Sequence, residues 1–330
     1  MVQRLKKLAQ LTRYQLSYFF YKNFIVYGTL LISIAPKNNL FLHKFYNTNM
    51  TLQELQTQVQ QTRRDILRMV HTVNSGHPGG SLGCAEFLVA LYGKAMVHST
   101  DFSMDGTNED LFFLSNGHIS PVFYSVLARN GYFPVEELNT FRKLNTRLQG
   151  HPTTHEGLPG IRVASGSLGQ GLSVAIGAAL AKKLNNDDKL VYTLHGDGEL
   201  QEGQVWEALM FAAGKNVDNI IATFDYNGRQ IDGDTDHVLP LGDLKAKFEA
   251  FGWVVLDEPK GNDLEAILNV LAEAKSLTGK GKPVAILLHT EMGNGVDFMM
   301  GTHAWHGKAP SDEQLASALE QNPVTELGDY

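Results

Sequence analysis

Short apolar runs alternate with amphipathic stretches along the chain from residue 50 onward. Five runs have the length and the Val, Ile, Leu and Phe content of buried strands, at residues 111–115, 190–195, 220–227, 253–258 and 284–290. Helix-like stretches at 202–215, 241–251 and 263–276 separate the last four runs. Strands spaced by helices of this length form parallel βαβ units. The pattern predicts an α/β fold: a doubly wound, mostly parallel sheet with helices on both faces, which binds ligands beyond the carboxyl ends of its strands.

Residues 1–49 do not follow this pattern. They include seven Lys or Arg and no Asp or Glu, and only two serines, fewer than is typical of a transit peptide. Their clean apolar run, residues 24–35, is shorter than the roughly 20 residues that a membrane-spanning helix needs. We therefore predict that residues 1–49 are an atypical basic extension, either a non-native start upstream of Met50 or a targeting segment. Residues 50–330 are expected to form a single α/β domain.

Composition narrows the class of protein. The chain has 330 residues, 43% hydrophobic and 19% charged, which excludes a disordered, collagen-like or coiled-coil protein. Residues 51–330 carry 21 Lys or Arg against 35 Asp or Glu, so a nucleic-acid partner is not expected. The single cysteine, Cys84, allows no internal disulfide and fits a reducing compartment. We expect a cytoplasmic protein, or an organellar one if residues 1–49 are a transit segment.

The motif GDGELQEG at 196–203 carries the clearest chemical signal. It follows a predicted strand directly, and its glycines allow a sharp turn that leaves Asp197 at the strand's end beside free backbone N–H groups. A helix predicted over Gln201 to Gly214 would point its N-terminus at the same crevice, which favours a phosphate group. Without a second ligand nearby, a GDG motif of this kind indicates only an ordinary turn. Asn227, however, ends the next strand, so its amide oxygen and the Asp197 carboxylate should converge, with a backbone carbonyl just past Asn227 as a third ligand. Such oxygen ligands predict Mg²⁺, completed by phosphate oxygens.

Four histidines lie beside glycines in predicted loops, the first of which is SGHPGGSLG at 75–83: His77, His118, His151 and His306. A single histidine is most often structural, but this common setting offers the side chains to a ligand. The sequence SGSLGQG at 165–171 precedes an alanine-rich helix and has two interpretations, a phosphate-cradling loop or tight helix packing.

The ordered series SGHPGG, SNGH, GHP, SGSLGQG, GDGELQEG with Asn227, and AWHGKAP resembles the N-terminal, diphosphate-binding half of transketolase over residues 55–311. The GDG motif with its asparagine is common to thiamine-diphosphate enzymes, whereas SGHPG and AWHG point to transketolase. The resemblance implies two cofactors, thiamine diphosphate and Mg²⁺, for which Ca²⁺ or Mn²⁺ can substitute. It also implies transfer of a two-carbon ketol unit from a ketose phosphate to an aldose phosphate, the reaction of EC 2.2.1.1.

The resemblance further implies a role for individual residues. Asp197, Asn227 and the backbone carbonyl of Arg229 would be the magnesium ligands. The cofactor contacts it implies are His118, Gly166, Ser167, Leu168, Gly198, Asn227 and His306. His77, His151 and His306 would lie at the reacting end of the sugar, where imidazoles suit proton transfer near neutral pH. Glu202 would face an activating glutamate of the family's other half.

The chain departs from the family pattern at three places. Arg229 stands where an aliphatic residue is common, but only its carbonyl is needed, and HTEMGNG at 289–295 replaces a lysine-richer sequence. Nothing after residue 311 resembles the pyrimidine-binding and C-terminal domains. We therefore expect the N-terminal subunit of a split transketolase, active with a separate C-terminal subunit, with two copies of each.

Two alternatives remain open from the sequence. One is a subunit of another thiamine-diphosphate enzyme, of the deoxyxylulose phosphate synthase type. The other is a non-catalytic, regulatory subunit that binds thiamine diphosphate, against which the three sugar-facing histidines argue. Residues 50–330 are not expected to enter a membrane.

Overall fold

The computed structural model describes residues 45–46 and 50–330 of the chain. Of the predicted extension over residues 1–49, only Phe45–Tyr46 (β1) is described, and it pairs antiparallel with His98–Ser99 (β2). The predictions of targeting and of a start at Met50 therefore concern residues outside the described part. No helix within residues 50–330 has both the length and the apolar character required to cross a membrane.

The apolar runs form the strands that the pattern predicts. The remaining strands, in chain order, are Leu111–Leu114 (β3), Val191–Gly196 (β4), Ile220–Asp225 (β5), Arg229–Gln230 (β6), Gly233–Asp234 (β7), Val254–Glu258 (β8) and Val284–Leu288 (β9). Strands β6 and β7 pair as a short antiparallel ribbon. The other five form one parallel sheet in the order β3-β4-β5-β9-β8, which confirms the predicted fold class. The last strand in the sequence enters between β5 and β8, so β8 forms an edge.

Helices connect these strands and cover both faces of the sheet. In chain order they are Leu52–Thr72 (α1), Pro78–Gly83 (α2), Ala85–Ala90 (α3), Ser120–Arg129 (α4), Gly171–Leu184 (α5), Gly203–Gly214 (α6), Thr235–Val238 (α7), Leu244–Ala250 (α8), Leu264–Leu277 (α9) and Asp312–Gln321 (α10). The helix expected from Gln201 begins at Gly203, because Gly198–Gln201 form a separate 3₁₀ turn. The prediction of a loop across residues 75–83 was wrong from Pro78 onward. Proline suits the first turn of a helix, where its fixed φ fits and its missing N–H is not needed.

Alternate residues of the strands in the five-stranded sheet enter two different hydrophobic cores. Along β3, Phe112 and Leu114 join the core that contains α1, α3, α4 and α9, while Leu111 and Phe113 join the core that contains α5, α6 and α8. Strands buried on both faces read as continuous apolar runs in the sequence. Because the five strands are parallel, their carboxyl ends lie at one common edge of the sheet, where the loops that follow them meet.

The last residues of the chain are tied to α1 by charged hydrogen bonds. The Asp329 carboxylate accepts from Arg64 Nε at 2.8 Å, from Arg64 Nη2 at 2.7 Å, from Arg68 Nη1 at 2.7 Å and from Gln61 Nε2 at 3.0 Å. The hydrogen bonds from Arg64 hold the pKa of Asp329 well below its usual range. A carboxyl group with a depressed pKa stabilises the fold above the unfolded-state pKa of about 4 and ceases to do so as the pH falls below it.

We expect Asp329→Asn to lower the stability of the chain by about 1–2 kcal/mol at pH 7, because it replaces a charge-assisted acceptor of several hydrogen bonds. Thermal unfolding followed by circular dichroism at pH 7 and at pH 3 measures the difference, which should shrink at the lower pH. Asp188→Asn is the control, since the Asp188 side chain is 87% exposed in its ion pair with Lys189. Equal melting temperatures for Asp329→Asn and wild type at pH 7 would contradict the structural role of this contact.

Candidate active site

A cavity of about 250 Å³ lies at the carboxyl ends of β4 and β5. Its walls come from stretches far apart in the sequence that the fold brings together. The predicted site residues that line it are His77, His118, Gly166, Leu168, Asp197, Gly198, Asn227, Arg229 and His306. Sequence motifs separated by more than two hundred residues thus share one cavity.

The pairing of β4 with β5 brings Asp197 and Asn227 together. Gly196, the last residue of β4, lies opposite Asp225, the last residue of β5. The prediction that Asn227 ends this strand was wrong by two residues, since Asn227 lies in the turn that follows. The Asp197 carboxylate accepts hydrogen bonds from the backbone N–H of Gly198 at 2.7 Å and of Gly228 at 2.6 Å. Gly228 has a φ of +72°, a conformation that favours glycine, and it turns the chain after Asn227 around this carboxylate.

Burial of Asp197 and the charge of Asp225 raise the pKa of Asp197 to about 7, although the N–H groups of Gly228 and Gly198 partly offset the effect. An ionised carboxylate in this place is stabilised by a bound cation. Within residues 50–330, no group of three or more His, Cys, Asp or Glu side chains is arranged to hold a metal ion. The predicted set of one carboxylate, one amide and one carbonyl carries a single charge, so it fits a cation whose other ligands are phosphate oxygens.

Asp225 is a buried residue of the cavity wall and orients Asn227. Its carboxylate accepts hydrogen bonds from the Thr290 hydroxyl and from Asn227 Nδ2, the latter at 2.8 Å. The Asn227 amide oxygen accepts from the backbone N–H of Arg229 at 2.9 Å. The donor end of the amide thus faces Asp225, and its oxygen faces the turn that follows Asn227. Thr290 belongs to the segment 289–295, where the sequence departs from the family pattern.

The four predicted histidines form one cluster. The ring centroid of His77 lies 5.2 Å from that of His118, 5.6 Å from that of His306 and 6.2 Å from that of His151. His118 stacks on His306 with a centroid separation of 5.0 Å. The buried Nδ1 atoms of His77 and His306 have no hydrogen-bond partner in the described part of the chain. Buried polar atoms without a partner at the wall of a cavity fit a polar ligand.

The surroundings of these rings favour neutral imidazoles. Burial, followed by the neighbouring His306, Arg142 and His151, lowers the pKa of His77 to about 4. Burial and the other histidines lower the pKa of His118 far below its usual value, and burial lowers the pKa of His306. Imidazole rings that are neutral at neutral pH each keep a nitrogen lone pair, which can accept a hydrogen bond from a ligand hydroxyl group.

The segment 165–171 contributes to the cavity wall and is closely packed, and its role as a phosphate-cradling loop stays a prediction. Gly166 and Leu168 line the cavity. The segment is also tightly packed: a Cβ atom added at Gly166, where φ is +133°, would come within 2.9 Å of the His151 ring. Side chains larger than hydrogen are therefore excluded at this point of the loop.

Three predicted site residues do not line the cavity: His151, Ser167 and Glu202 are exposed. Glu202 has extended backbone angles and precedes the first residue of α6. These positions lie at the surface rather than in the enclosed part of the site.

Residues 55–324 match the family model described as the transketolase, thiamine diphosphate binding domain. The chain belongs to the transketolase family. This membership, predicted from the ordered motifs, is confirmed.

Transketolase relatives of two lengths resemble the chain. The 6-deoxy-6-sulfo-D-fructose transketolase subunit of a Clostridium species is 40% identical over 269 residues, which cover 81% of this chain and 96% of the relative. An apulose-4-phosphate transketolase subunit of Phocaeicola vulgatus is 36% identical, covering 82% of this chain and 95% of the relative. Transketolase 1 of Saccharomyces cerevisiae is 38% identical, but the match covers 77% of this chain and only 38% of that relative. The predicted likeness to the N-terminal subunit of a split transketolase is thereby confirmed.

Solved transketolase structures share the fold. The enzyme from Campylobacter jejuni superposes with a TM-score of 0.76 at 35% identity, covering 83% of this chain and 43% of that one. The enzyme from Leishmania mexicana gives a TM-score of 0.76 at 30% identity, with 82% and 43% of the two chains covered.

The sequence analysis did not identify three residues that lie at or near this cavity. Asp225 could have been found, because a carboxylate that ends a buried apolar run lies at the carboxyl edge of the sheet. Glu199 directly follows the GDG turn, but nothing in the pattern distinguishes it from a surface residue. Arg142 adopts a left-handed φ of 56°. Its positive charge contributes to the lowered pKa of His77 and of His151. Only the tertiary structure brings Arg142 to the histidines.

Proposed function

We propose that this chain is the diphosphate-binding subunit of a two-chain transketolase. The complete enzyme would transfer a two-carbon ketol unit from a ketose phosphate to an aldose phosphate, with thiamine diphosphate and Mg²⁺ as cofactors. The observation that carries the proposal is the convergence of Asp197 and Asn227 with His77, His118 and His306 on one cavity at the carboxyl edge of the sheet.

The residues present fit both cofactors. Asp197, Asn227 and the carbonyl of Arg229 would hold Mg²⁺, which offsets the cost of an ionised carboxylate at Asp197. His118, the 166–168 loop and Gly198 would hold the diphosphate. When bound, thiamine diphosphate supplies the electron sink for cleavage of the carbon–carbon bond.

The histidines of this chain would handle protons on the sugar. His77 and His306 each present a neutral ring with a buried, unpartnered Nδ1 in the described structure. Either ring can accept a proton from a sugar hydroxyl oxygen and return it later in the cycle. His151, the most exposed of the four, would contact the sugar at the rim of the cavity, beside His77. A non-catalytic subunit would have no use for such a cluster, and this favours the catalytic proposal over the regulatory alternative.

The identity of the sugar is left to residues outside this chain. Relatives of similar length are named for sulfonated fructose and for apulose 4-phosphate, and both sugars carry an anionic group. We propose an anionic ketose as donor, with its phosphate gripped by the complementary subunit.

The complementary subunit would dock on helices α5 and α6. Both helices expose apolar or small side chains on their outer faces. Val174 is 42% exposed on α5, and Met210 and Phe211 are 63% and 46% exposed on α6. A Cβ atom added at Gly177 or Gly203 would meet nothing within 4 Å, so this surface is open for close approach. An apolar face of this kind on an α/β domain is typical of an interface.

Glu202 lies at the start of α6, beside this face. It is exposed, and its backbone is held by a hydrogen bond from its N–H to the carbonyl of Glu199 at 3.0 Å. In the proposed complex Glu202 would meet the activating glutamate of the complementary subunit, which explains why it lies outside the cavity wall of this chain.

We expect His77→Ala and His306→Ala each to lower kcat/KM for ketol transfer by about 10²-fold, the usual scale for loss of a proton-transfer group. The assay follows two-carbon transfer from a ketose phosphate to an aldose phosphate by the chain assembled with its complementary subunit. His71→Ala is the control, since His71 lies at the end of α1 in an ion pair with Asp312. Unchanged rates for both variants, together with unchanged melting temperatures, would assign the two histidines a merely structural role.

A further inference from the structure

Glu199 is a buried carboxylate at the base of the cavity, with 1% of its surface exposed. Its Oε1 accepts a hydrogen bond from the Ser115 hydroxyl and another from the backbone N–H of Gly169 at 2.7 Å. Its Oε2 accepts from the backbone N–H of Gly196 at 3.2 Å and lies 3.5 Å from Nδ1 of His195. Donors thus surround both oxygens of one side chain.

The partners of Glu199 belong to three different loops of the site. Ser115 begins the loop that carries His118, Gly169 follows the 166–168 loop, and Gly196 begins the GDG turn. The Ser115 hydroxyl also accepts from the backbone N–H of Gly171, the first residue of α5, at 3.1 Å. One carboxylate therefore links, directly or through Ser115, every loop that would hold the diphosphate.

These loops leave little room for an alternative arrangement. A Cβ atom added at Gly171 would lie 2.4 Å from the Ser115 hydroxyl oxygen, and one at Gly117 would lie 2.4 Å from that of Ser165. The loops are packed backbone against side chain, and the hydrogen bonds of Glu199 tie them together at this close spacing.

We propose that Glu199 is a positioning residue that sets the relative placement of the three diphosphate-binding loops before the cofactor arrives. The inference rests on the proposed function of the cavity. A carboxylate would repel a diphosphate, but the oxygens of Glu199 are directed to the donors of the loops. Its role is to hold those loops in the geometry that binds the diphosphate, which lowers the ordering cost of binding.

The geometry requires a carboxylate and not merely a side chain of this shape. A glutamine would present one acceptor oxygen and one NH₂ group, and the NH₂ group would face either the donors at Oε1 or the N–H of Gly196 at Oε2. Two donors that face each other leave a buried N–H without an acceptor, which lowers the free energy of unfolding. Glu199→Gln therefore removes the contacts at one of the two oxygens while it preserves volume and shape.

The test measures binding of thiamine diphosphate, at saturating Mg²⁺, to the full chain assembled with its complementary subunit, by isothermal titration calorimetry. We expect Glu199→Gln to weaken the affinity at least tenfold. The matched control is Glu109→Gln, which replaces another buried glutamate, 3% exposed and bonded to Arg162 and to the N–H of Ser99. It should lower the melting temperature without changing the affinity.

A second readout needs no cofactor. In the free chain, amide hydrogen exchange at Gly169 and Gly196 should be faster in Glu199→Gln than in wild type, while exchange within α1 stays unchanged. If Glu199→Gln does not fold, Ser115→Ala takes its place, and we expect about threefold weaker binding because one of the linking hydrogen bonds is lost.

The outcomes separate the two proposals. A wild-type assembly that fails to bind thiamine diphosphate overturns the proposed function, and this inference with it. Wild-type binding with unchanged affinity in Glu199→Gln, or in Ser115→Ala where the first variant does not fold, overturns only the positioning role.

Discussion

Asp197→Asn is expected to abolish magnesium-dependent binding of thiamine diphosphate. Asp197 is the only charged group among the proposed metal ligands, and without it the repulsion between the diphosphate and its surroundings is poorly neutralised. We expect the affinity measured by calorimetry at pH 7.5 to fall at least a hundredfold. Asp257→Asn is the control, because Asp257 is a half-exposed residue of β8 that pairs with His289. If Asp197→Asn binds the cofactor as tightly as wild type, the metal site is misassigned.

The same variant should make the cofactor-free chain more stable at alkaline pH. Asp197 has a pKa of about 7 in the fold, against about 4 in an unfolded chain, so ionisation disfavours the folded state as the pH rises through this window. An asparagine side chain at this position cannot ionise and escapes this penalty. The melting temperature of Asp197→Asn should therefore exceed that of wild type at pH 8, and the difference should diminish toward pH 4.

In the wild type, metal binding favours the ionised form of Asp197, because a cation binds the carboxylate and not the protonated acid. Below about pH 7 the binding of Mg²⁺ must release a proton from Asp197, so the apparent affinity should fall up to tenfold for each pH unit. Calorimetry in buffers of different ionisation enthalpy measures the released proton directly. Binding at pH 6 without proton release would contradict the raised pKa.

The second large effect concerns the complementary subunit. We expect the purified chain alone to show no ketol transfer, and a mixture with the complementary subunit to be fully active. The reason is that the one glutamate lining the described cavity, Glu199, is hydrogen-bonded to the donors of the surrounding loops, and the family resemblance gives activation of the aminopyrimidine ring to a glutamate of the other half. Mass measurement in solution should show two copies of each chain, since twofold symmetry is the commonest way to close such an interface. Ketol transfer by this chain alone would refute the two-chain proposal.

A surface variant locates the interface. Met210→Asp places a charge on the apolar face of α6, and Val324→Asp places one near the carboxyl end, where the side chain is equally exposed at 63%. We expect Met210→Asp to lower the activity of a dilute mixture at least tenfold and to recover at high subunit concentration, with Val324→Asp close to wild type. Equal activities for the two variants would exclude α6 as the docking surface.

The periodicity of the sequence was sufficient for the fold class and for most strand positions. Strands buried on both faces read as unbroken apolar runs, and the predicted runs at 190–195 and 220–227 correspond to strands that end at Gly196 and Asp225. The adjacency of Asp197 and Asn227 followed from the same reasoning, since neighbouring parallel strands end at one edge. The loop expected at residues 75–83 was wrong because proline and glycine signal turns in general and do not reveal a short helix that tertiary packing supports.

The sequence by itself determined which chemical groups the chain offers: a carboxylate and an amide after adjacent strands, glycines at tight turns, and four histidines in a recognisable order. Only the tertiary structure decided how they are placed relative to one another. It brought His77, His118 and His306 within ring contact, moved His151, Ser167 and Glu202 to the surface, and surrounded Glu199 with the donors of three loops. The physical reason is that periodicity and turn chemistry are local, whereas burial, pKa and hydrogen-bond partners depend on segments that meet only after folding.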